Sequence, residues 1–192
     1  MPPTLLVFGD SLSAGYGIDP ARGWVRLLEQ RLRDTGHDYR VINASVSGET
    51  TAGGLARFPR ALQVQQPALV ILELGGNDGL RALPVDAMRD NLGRMLQLCR
   101  SRGVAVLLVG IRMPANYGPR FTSEFAAVYD QLAARYAVPV VPFLLAGVAD
   151  HPAWMQADGI HPNEQGQPQV LENLWPELQK MLTAAPTRRK AA

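Results

Sequence analysis

Leu69-Val70-Ile71-Leu72-Glu73-Leu74 is an apolar run interrupted by one acid. It is too short for a globular helix and lacks the polar–apolar alternation of a half-exposed strand. It therefore reads as a strand covered on both faces, the condition of parallel sheets. Val104 to Gly110, VAVLLVG, has the same character. Working outward, shorter strands are expected at Thr4–Phe8, Tyr39–Asn43 and Pro139–Val141. Helical periodicity lies between them. Trp24, Leu28 and Leu32 share one face; Val85, Met88, Leu92, Met95, Leu96 and Cys99 share another, with Pro84 suited to a first turn. Phe125, Val128, Leu132 and Tyr136 make a third stripe, and a last helix is expected from about Gln169 to Leu182. Strands alternating with helices imply βαβ units with right-handed crossovers, hence an α/β fold with a five-stranded parallel sheet and helices on both sides.

The 192 residues suffice for one domain with a full core, expected over 1–185, with 186–192 as a disordered tail. Hydrophobic content of 47% and a formal charge of +2 are those of an ordinary globular protein. Basic residues are scattered apart from Arg188-Arg189-Lys190, and no aromatic platform accompanies them, which argues against nucleic-acid binding. Cys99 is the lone cysteine, so no intrachain disulfide or thiolate metal site is available, and a buried thiol is expected. No apolar run reaches the ~18 residues of a membrane span. Met1-Pro2-Pro3 is no signal peptide, so the chain is expected to be cytoplasmic or a mature form whose leader was removed.

Chemistry concentrates in four loops expected at the carboxyl edge of the sheet. The first is Gly9-Asp10-Ser11-Leu12-Ser13, which presents a serine where the first strand ends. By itself Ser11 reads equally as a helix cap. A phosphate-cradling loop is disfavoured by Asp10, whose charge would repel the anion, and by the absence of P-loop spacing. The second loop carries Gly48, a plain turn or a backbone N–H open to a ligand. The third, Gly75-Gly76-Asn77-Asp78-Gly79, is a turn signal that also offers a neutral amide donor in Asn77. The fourth, Asp158-Gly159-Ile160-His161-Pro162, sets an acid three residues before an imidazole; alone, it is a turn or a surface pair. Open α/β sheets place their ligands outside the carboxyl ends of the strands, so all four loops converge on one edge. Together they supply nucleophile, base, orienting acid and oxyanion donors, the requirements of serine acyl transfer. The arrangement is not the G-x-S-x-G nucleophile elbow. His37 and His151 sit in polar turns, and the three histidines lack convergent metal-ligand spacing. Glu73, costly if buried and unpaired, is expected near the end of its strand as a hydrogen-bonded support or a structural pairing.

At these residues the chain resembles the SGNH (GDSL) hydrolases, whose four blocks fall on Gly9-Asp10-Ser11-Leu12-Ser13, Gly48, Gly76-Asn77-Asp78 and Asp158-x-x-His161. Asn43 to Gly48, Glu73 to Arg81, Pro114 to Gly118 and Asp158 to Pro162 extend the similarity to the bacterial periplasmic thioesterase I/protease I/lysophospholipase type and to arylesterases. The resemblance implies a three-layer, flavodoxin-like fold and hydrolysis of acyl esters and thioesters without a cofactor or metal. It assigns Ser11 as nucleophile, His161 as base and Asp158 as orienting acid. The oxyanion hole is assigned to the N–H groups of Ser11 and Gly48 and the Asn77 side chain, in a loop that closes on the acyl chain. It also implies a periplasmic compartment. Substrate contacts are expected from Asp10, Leu80, Ile111, Pro114, Tyr117 and Phe143. Expected partners are small-molecule acyl ester or thioester substrates, with no nucleic acid, no stable membrane insertion and a monomeric state. Two other readings stay open: a carbohydrate O-acetylesterase on the same fold, and a non-catalytic flavodoxin-like ligand-binding module.

Overall fold

The computed structural model describes residues 1–184; the expected tail at 186–192, including Arg188-Arg189-Lys190, lies outside them. Five strands form one sheet: β1 (Thr4–Gly9), β2 (Arg40–Asn43), β3 (Leu69–Glu73), β4 (Ala105–Val109) and β5 (Val140–Val141). All pairings are parallel and the order is β2-β1-β3-β4-β5, the flavodoxin-like arrangement. β1 and β3 are buried along their whole length, as their unbroken apolar sequences require.

Seven α-helices accompany the sheet: α1 (Ser11–Ala14), α2 (Trp24–Asp34), α3 (Thr51–Gln65), α4 (Gly76–Leu80), α5 (Val85–Ser101), α6 (Pro119–Tyr136) and α7 (Gln167–Ala184). α2 packs against α7, while α3, α5 and α6 lie side by side, so right-handed crossovers in both directions from β1 cover both faces of the sheet. The expected stripes face the core: Trp24, Leu28 and Leu32 of α2, and Met88, Leu92, Met95, Leu96 and Cys99 of α5, are buried.

Three helices go beyond those expected from periodicity. α3 contains Gly53, Gly54 and Pro59, which obscure its pattern, yet Thr51, Gly54, Phe58 and Leu62 form its buried stripe at spacings of three and four. The Thr50 hydroxyl caps it by accepting from Gly53 N–H. A Cβ at Gly54 would lie 2.5 Å from Leu74 Cδ1, so the glycine lets α3 sit close on the sheet. α1 and α4 are single turns without an apolar stripe, α1 capped by Asp10 and α4 entered through Gly75 at positive φ, and they carry Ser11 and Asn77.

Candidate active site

Strand order reverses at β1, where α2 leads to one side and β3 lies on the other, leaving a crevice at their carboxyl ends. Gly9 ends β1 directly opposite Glu73, the last residue of β3. Gly9 is expected to serve a sharp turn; its φ is not in the left-handed region, and the reason for glycine is close approach. A Cβ there would stand 2.8 Å from Glu73 Oε1 and 2.9 Å from Ser13 Oγ. Asp10 then caps α1, its Oδ1 accepting from Leu12 N–H at 3.0 Å, and Ser11 opens the helix. The Ser11 N–H is one of the orphan donors of a helix start.

Ser11 Oγ lies 2.8 Å from His161 Nε2, and His161 Nδ1 lies 2.6 Å from Asp158 Oδ2. A carboxylate only accepts, so Nδ1 carries the ring proton and Nε2 presents its lone pair to the serine hydroxyl. Burial pushes the Asp158 carboxyl up, but the His161 ring and the backbone N–H groups of Ile160 and His161 outweigh it and lower it to about 2. Asp158 Oδ1 accepts those two N–H groups at 2.9 and 3.1 Å, locking the loop around the imidazole. Gln156 braces the same loop: its backbone N–H donates to the His161 carbonyl at 2.8 Å, and its Nε2 donates to Pro162 O and Tyr16 O. The half-exposed Tyr16 ring lies over His161 with centroids 4.5 Å apart and shields the imidazole. Its position soon after the serine turn was the only signal for it.

Gly48 adopts φ +81° with open space where a Cβ would stand, so the turn itself selects glycine. Among the described residues its N–H has no hydrogen-bond acceptor. Its carbonyl accepts from Arg81 at 3.1 Å, and Arg57 ion-pairs with the following Glu49 while lying 3.9 Å over the Phe8 ring. Gly75, at φ +122°, turns the chain from β3 into α4 and brings Asn77 to the same place. Asn77 Nδ2 donates to Glu49 O at 3.0 Å and to Asp10 Oδ2 at 3.3 Å. Asp78 points the other way: it accepts from the Thr51 N–H at 2.7 Å and from the Thr51 hydroxyl at 2.6 Å, pinning α4 to the start of α3.

Beside Ser11 opens a mainly apolar cavity of ≈ 610 Å³ including its mouth. Asp10, Leu80, Ile111, Pro114 and Phe143 line it, joined by Leu12, Met113, Leu145, Met155 and Ile160. Two expectations need correction. Tyr117 is not in the lining, because its hydroxyl donates to the Leu80 carbonyl at 3.1 Å and its ring stacks on Phe121. It supports Leu80 from behind. Asp10 borders the cavity but is 2% exposed, with both oxygens already accepting, so it braces Leu12 and Asn77.

Glu73 is fully buried, and Ser13 Oγ donates to its Oε1 at 2.6 Å. Burial, then the charge of Asp10, hold its carboxyl well above the usual range. Cys99 is buried away from this edge, and burial pushes its thiol up to about 12, as befits an inert core residue. Among the described residues no group of three His, Cys, Asp or Glu gathers as a metal-ligand set, and no helix is long and apolar enough to cross a membrane.

Residues 7–168 match the GDSL-like lipase/acylhydrolase family. The chain is 54% identical over 179 residues to esterase TesA of Pseudomonas aeruginosa, spanning 93% of this chain and 89% of that one. It is 42% identical over 179 residues to thioesterase 1/protease 1/lysophospholipase L1 of Escherichia coli K12, spanning 93% and 85%. The crystal structure of esterase EstA from Pseudoalteromonas sp., inhibited by monoethylphosphonate, superposes with a TM-score of 0.89 at 36% identity, covering 94% of this chain and 98% of that one.

Proposed function

The chain belongs to the GDSL-like lipase/acylhydrolase family and is an acyl ester hydrolase, and from that premise we propose that Ser11, His161 and Asp158 form its catalytic triad. The observation that carries the assignment is the unbroken chain Ser11 Oγ–His161 Nε2 at 2.8 Å and His161 Nδ1–Asp158 Oδ2 at 2.6 Å. His161 removes the hydroxyl proton as Ser11 Oγ attacks the substrate carbonyl carbon. The proton then passes from Nε2 to the departing alkoxide or thiolate, leaving an acyl-Ser11 ester. Water, deprotonated by the same nitrogen, releases the acid and restores the serine. Asp158 holds the tautomer and stabilises the imidazolium. The N–H groups of Ser11 and Gly48 and the Asn77 amide receive the tetrahedral oxyanion; the 3.3 Å bond from Asn77 to Asp10 is the long one, and the oxyanion competes for that hydrogen.

The apolar cavity favours an acyl chain over a bare acetyl group. Thioesters and lysophospholipids join simple esters as proposed substrates, on the name carried by the Escherichia coli relative, and the proposed setting is a monomer in the periplasm. Each methylene buried adds about 0.8 kcal/mol, about fourfold in kcat/KM. A series of p-nitrophenyl esters from acetate to octanoate should therefore rise steeply until the cavity is filled, with acyl-CoA of matching length also turned over. A series that peaks at acetate would favour the O-acetylesterase reading instead.

A further inference from the structure

We propose that Glu73 is a positioning residue for this reaction: as a neutral carboxylic acid it donates its proton to Asp10, fixing Asp10 as the acceptor that orients both the Ser11 helix start and the Asn77 amide. The inference rests on the oxyanion role given to Asn77 above and adds the group that holds it. Gly9 pairs with Glu73 at the strand ends, and the chain leaves β1 in a tight turn at Asp10, which caps the first helix. Ser13, in the turn that Asp10 caps, bonds Glu73 Oε1 at 2.6 Å, and the Cβ position of Gly9 is 2.8 Å from the same oxygen, so the Glu73 carboxyl lies against the Asp10 turn. There each acid bears on the ionisation of the other. Two carboxylates in contact repel; with one proton between them the contact becomes a hydrogen bond.

Two observations give that proton to Glu73. Glu73 is fully buried, and among the described residues no N–H or O–H donor reaches its Oε2. The Ser13 hydroxyl donating to its other oxygen favours the ionised form, but burial and the charge of Asp10 outweigh it. Asp10, by contrast, already accepts from Leu12 N–H and Asn77 Nδ2, contacts that suit the ionised partner. The surrounding charges agree. Asp10 faces His161, which favours its ionised form, and Asp78, which opposes it; Glu73 faces Asp10, and the Tyr129 hydroxyl nearby is held un-ionised by burial and by these acids. Gly9 has no side chain where one would strike Glu73 Oε1, and Gly76 leaves Asp10 Oδ2 room, a Cβ there standing 3.3 Å away. Glu73 touches no substrate; it acts through Asp10.

The test combines spectroscopy and kinetics on the whole enzyme. Infrared spectra at pH 8 of protein labelled with ¹³C at the glutamate carboxyls should show an isotope-sensitive carbonyl stretch of a protonated acid that is missing from Glu73→Gln. Glutamine can donate to Asp10 and accept from Ser13, so Glu73→Gln should keep kcat within about threefold. Glu73→Leu should lose about 10–100-fold in kcat with KM little changed, the scale of a misoriented catalytic group. Adding Asn77→Ala to Glu73→Leu should cost clearly less than the two single losses combined, because part of the Glu73 effect runs through the Asn77 donor. Absence of the protonated-acid band, equal damage from Gln and Leu, or additive losses overturns the proposal. Should Glu73→Leu fail to fold, the band and the glutamine variant still decide. Asn77→Ala alone tests the oxyanion reading separately.

Discussion

At Asn77 a single amide nitrogen, the proposed oxyanion donor, serves two internal acceptors, Glu49 O and Asp10 Oδ2. Removing one oxyanion donor costs about 2.7–4 kcal/mol of transition-state stabilisation. Asn77→Ala should thus lower kcat by ~10²–10³ while the protein still folds; an alanine variant turning over at the normal rate would contradict the oxyanion assignment. Glu73 makes a second prediction through linkage. Its folded-state affinity for a proton is raised well above the ordinary value of 4.5 by burial first and the Asp10 charge second. Below pH 4.5 folded and unfolded chains both hold the proton, and its contribution is fully present. Above it the unfolded chain releases a proton that the folded chain keeps, so stability falls as pH rises, by up to about 1.4 kcal/mol per pH unit. Asp10, pushed from 3.8 up to about 6 by burial, acts in the same direction between those values. Glu73→Gln has no such proton at position 73. Its Tm should therefore gain on the wild type as pH is raised from 5 to 8, and a constant difference across that range would count against a neutral Glu73.

Among the elements, β4 and β5 meet most tightly at Gly110, which follows β4. A Cβ there would lie 2.4 Å from the Pro142 carbonyl oxygen and 2.8 Å from that of Val141, both backbone atoms that cannot rotate away. Gly110 also donates to Val141 O at 2.7 Å and accepts from Leu144 N–H at 3.0 Å. Gly110→Ala must push β5 outward, at a cost of about 1–3 kcal/mol. Calorimetry should show a Tm several degrees lower; an unchanged Tm would mean the edge is looser than the structure describes. Strands of this kind were readable in advance because burial on both faces leaves long apolar runs, as in Leu69–Glu73. α3 was not, because Gly53, Gly54 and Pro59 hide a stripe whose first buried members are a threonine and a glycine. The four loops of the proposed active site could be found because three leave the ends of strands and the fourth sets an acid three residues before a histidine. Tyr117 misled, since an aromatic residue beside a catalytic loop looks the same whether it lines the cavity or props Leu80 from behind. Glu73 showed only as an anomaly, because its observed partner Ser13 lies 60 residues away in sequence, which short-range pattern does not encode.

Over the whole molecule the site is a product of topology. Ser11 and His161 are 150 residues apart in sequence and meet only because the β1 turn and the loop before α7 reach the same sheet edge. The hydrogen bonds that hold this edge tie the ends of the chain together: Gln167 accepts from Trp24 N–H at 3.0 Å, and Gln156 donates to Tyr16 O at 2.8 Å. The rigid sheet carries the reacting groups on single-turn helices and tight loops, and the apolar cavity beside them offers room for variable acyl chains. The proposed reaction requires Ser11 to become acylated. Intact-protein mass spectrometry after treatment with a fluorophosphonate tests this most directly. One adduct per chain, mapped to Ser11 and lost in Ser11→Ala together with ester hydrolysis, is the predicted result. An unlabelled Ser11 in an enzyme that still cleaves esters, or a Ser11→Ala variant that remains active, would contradict it.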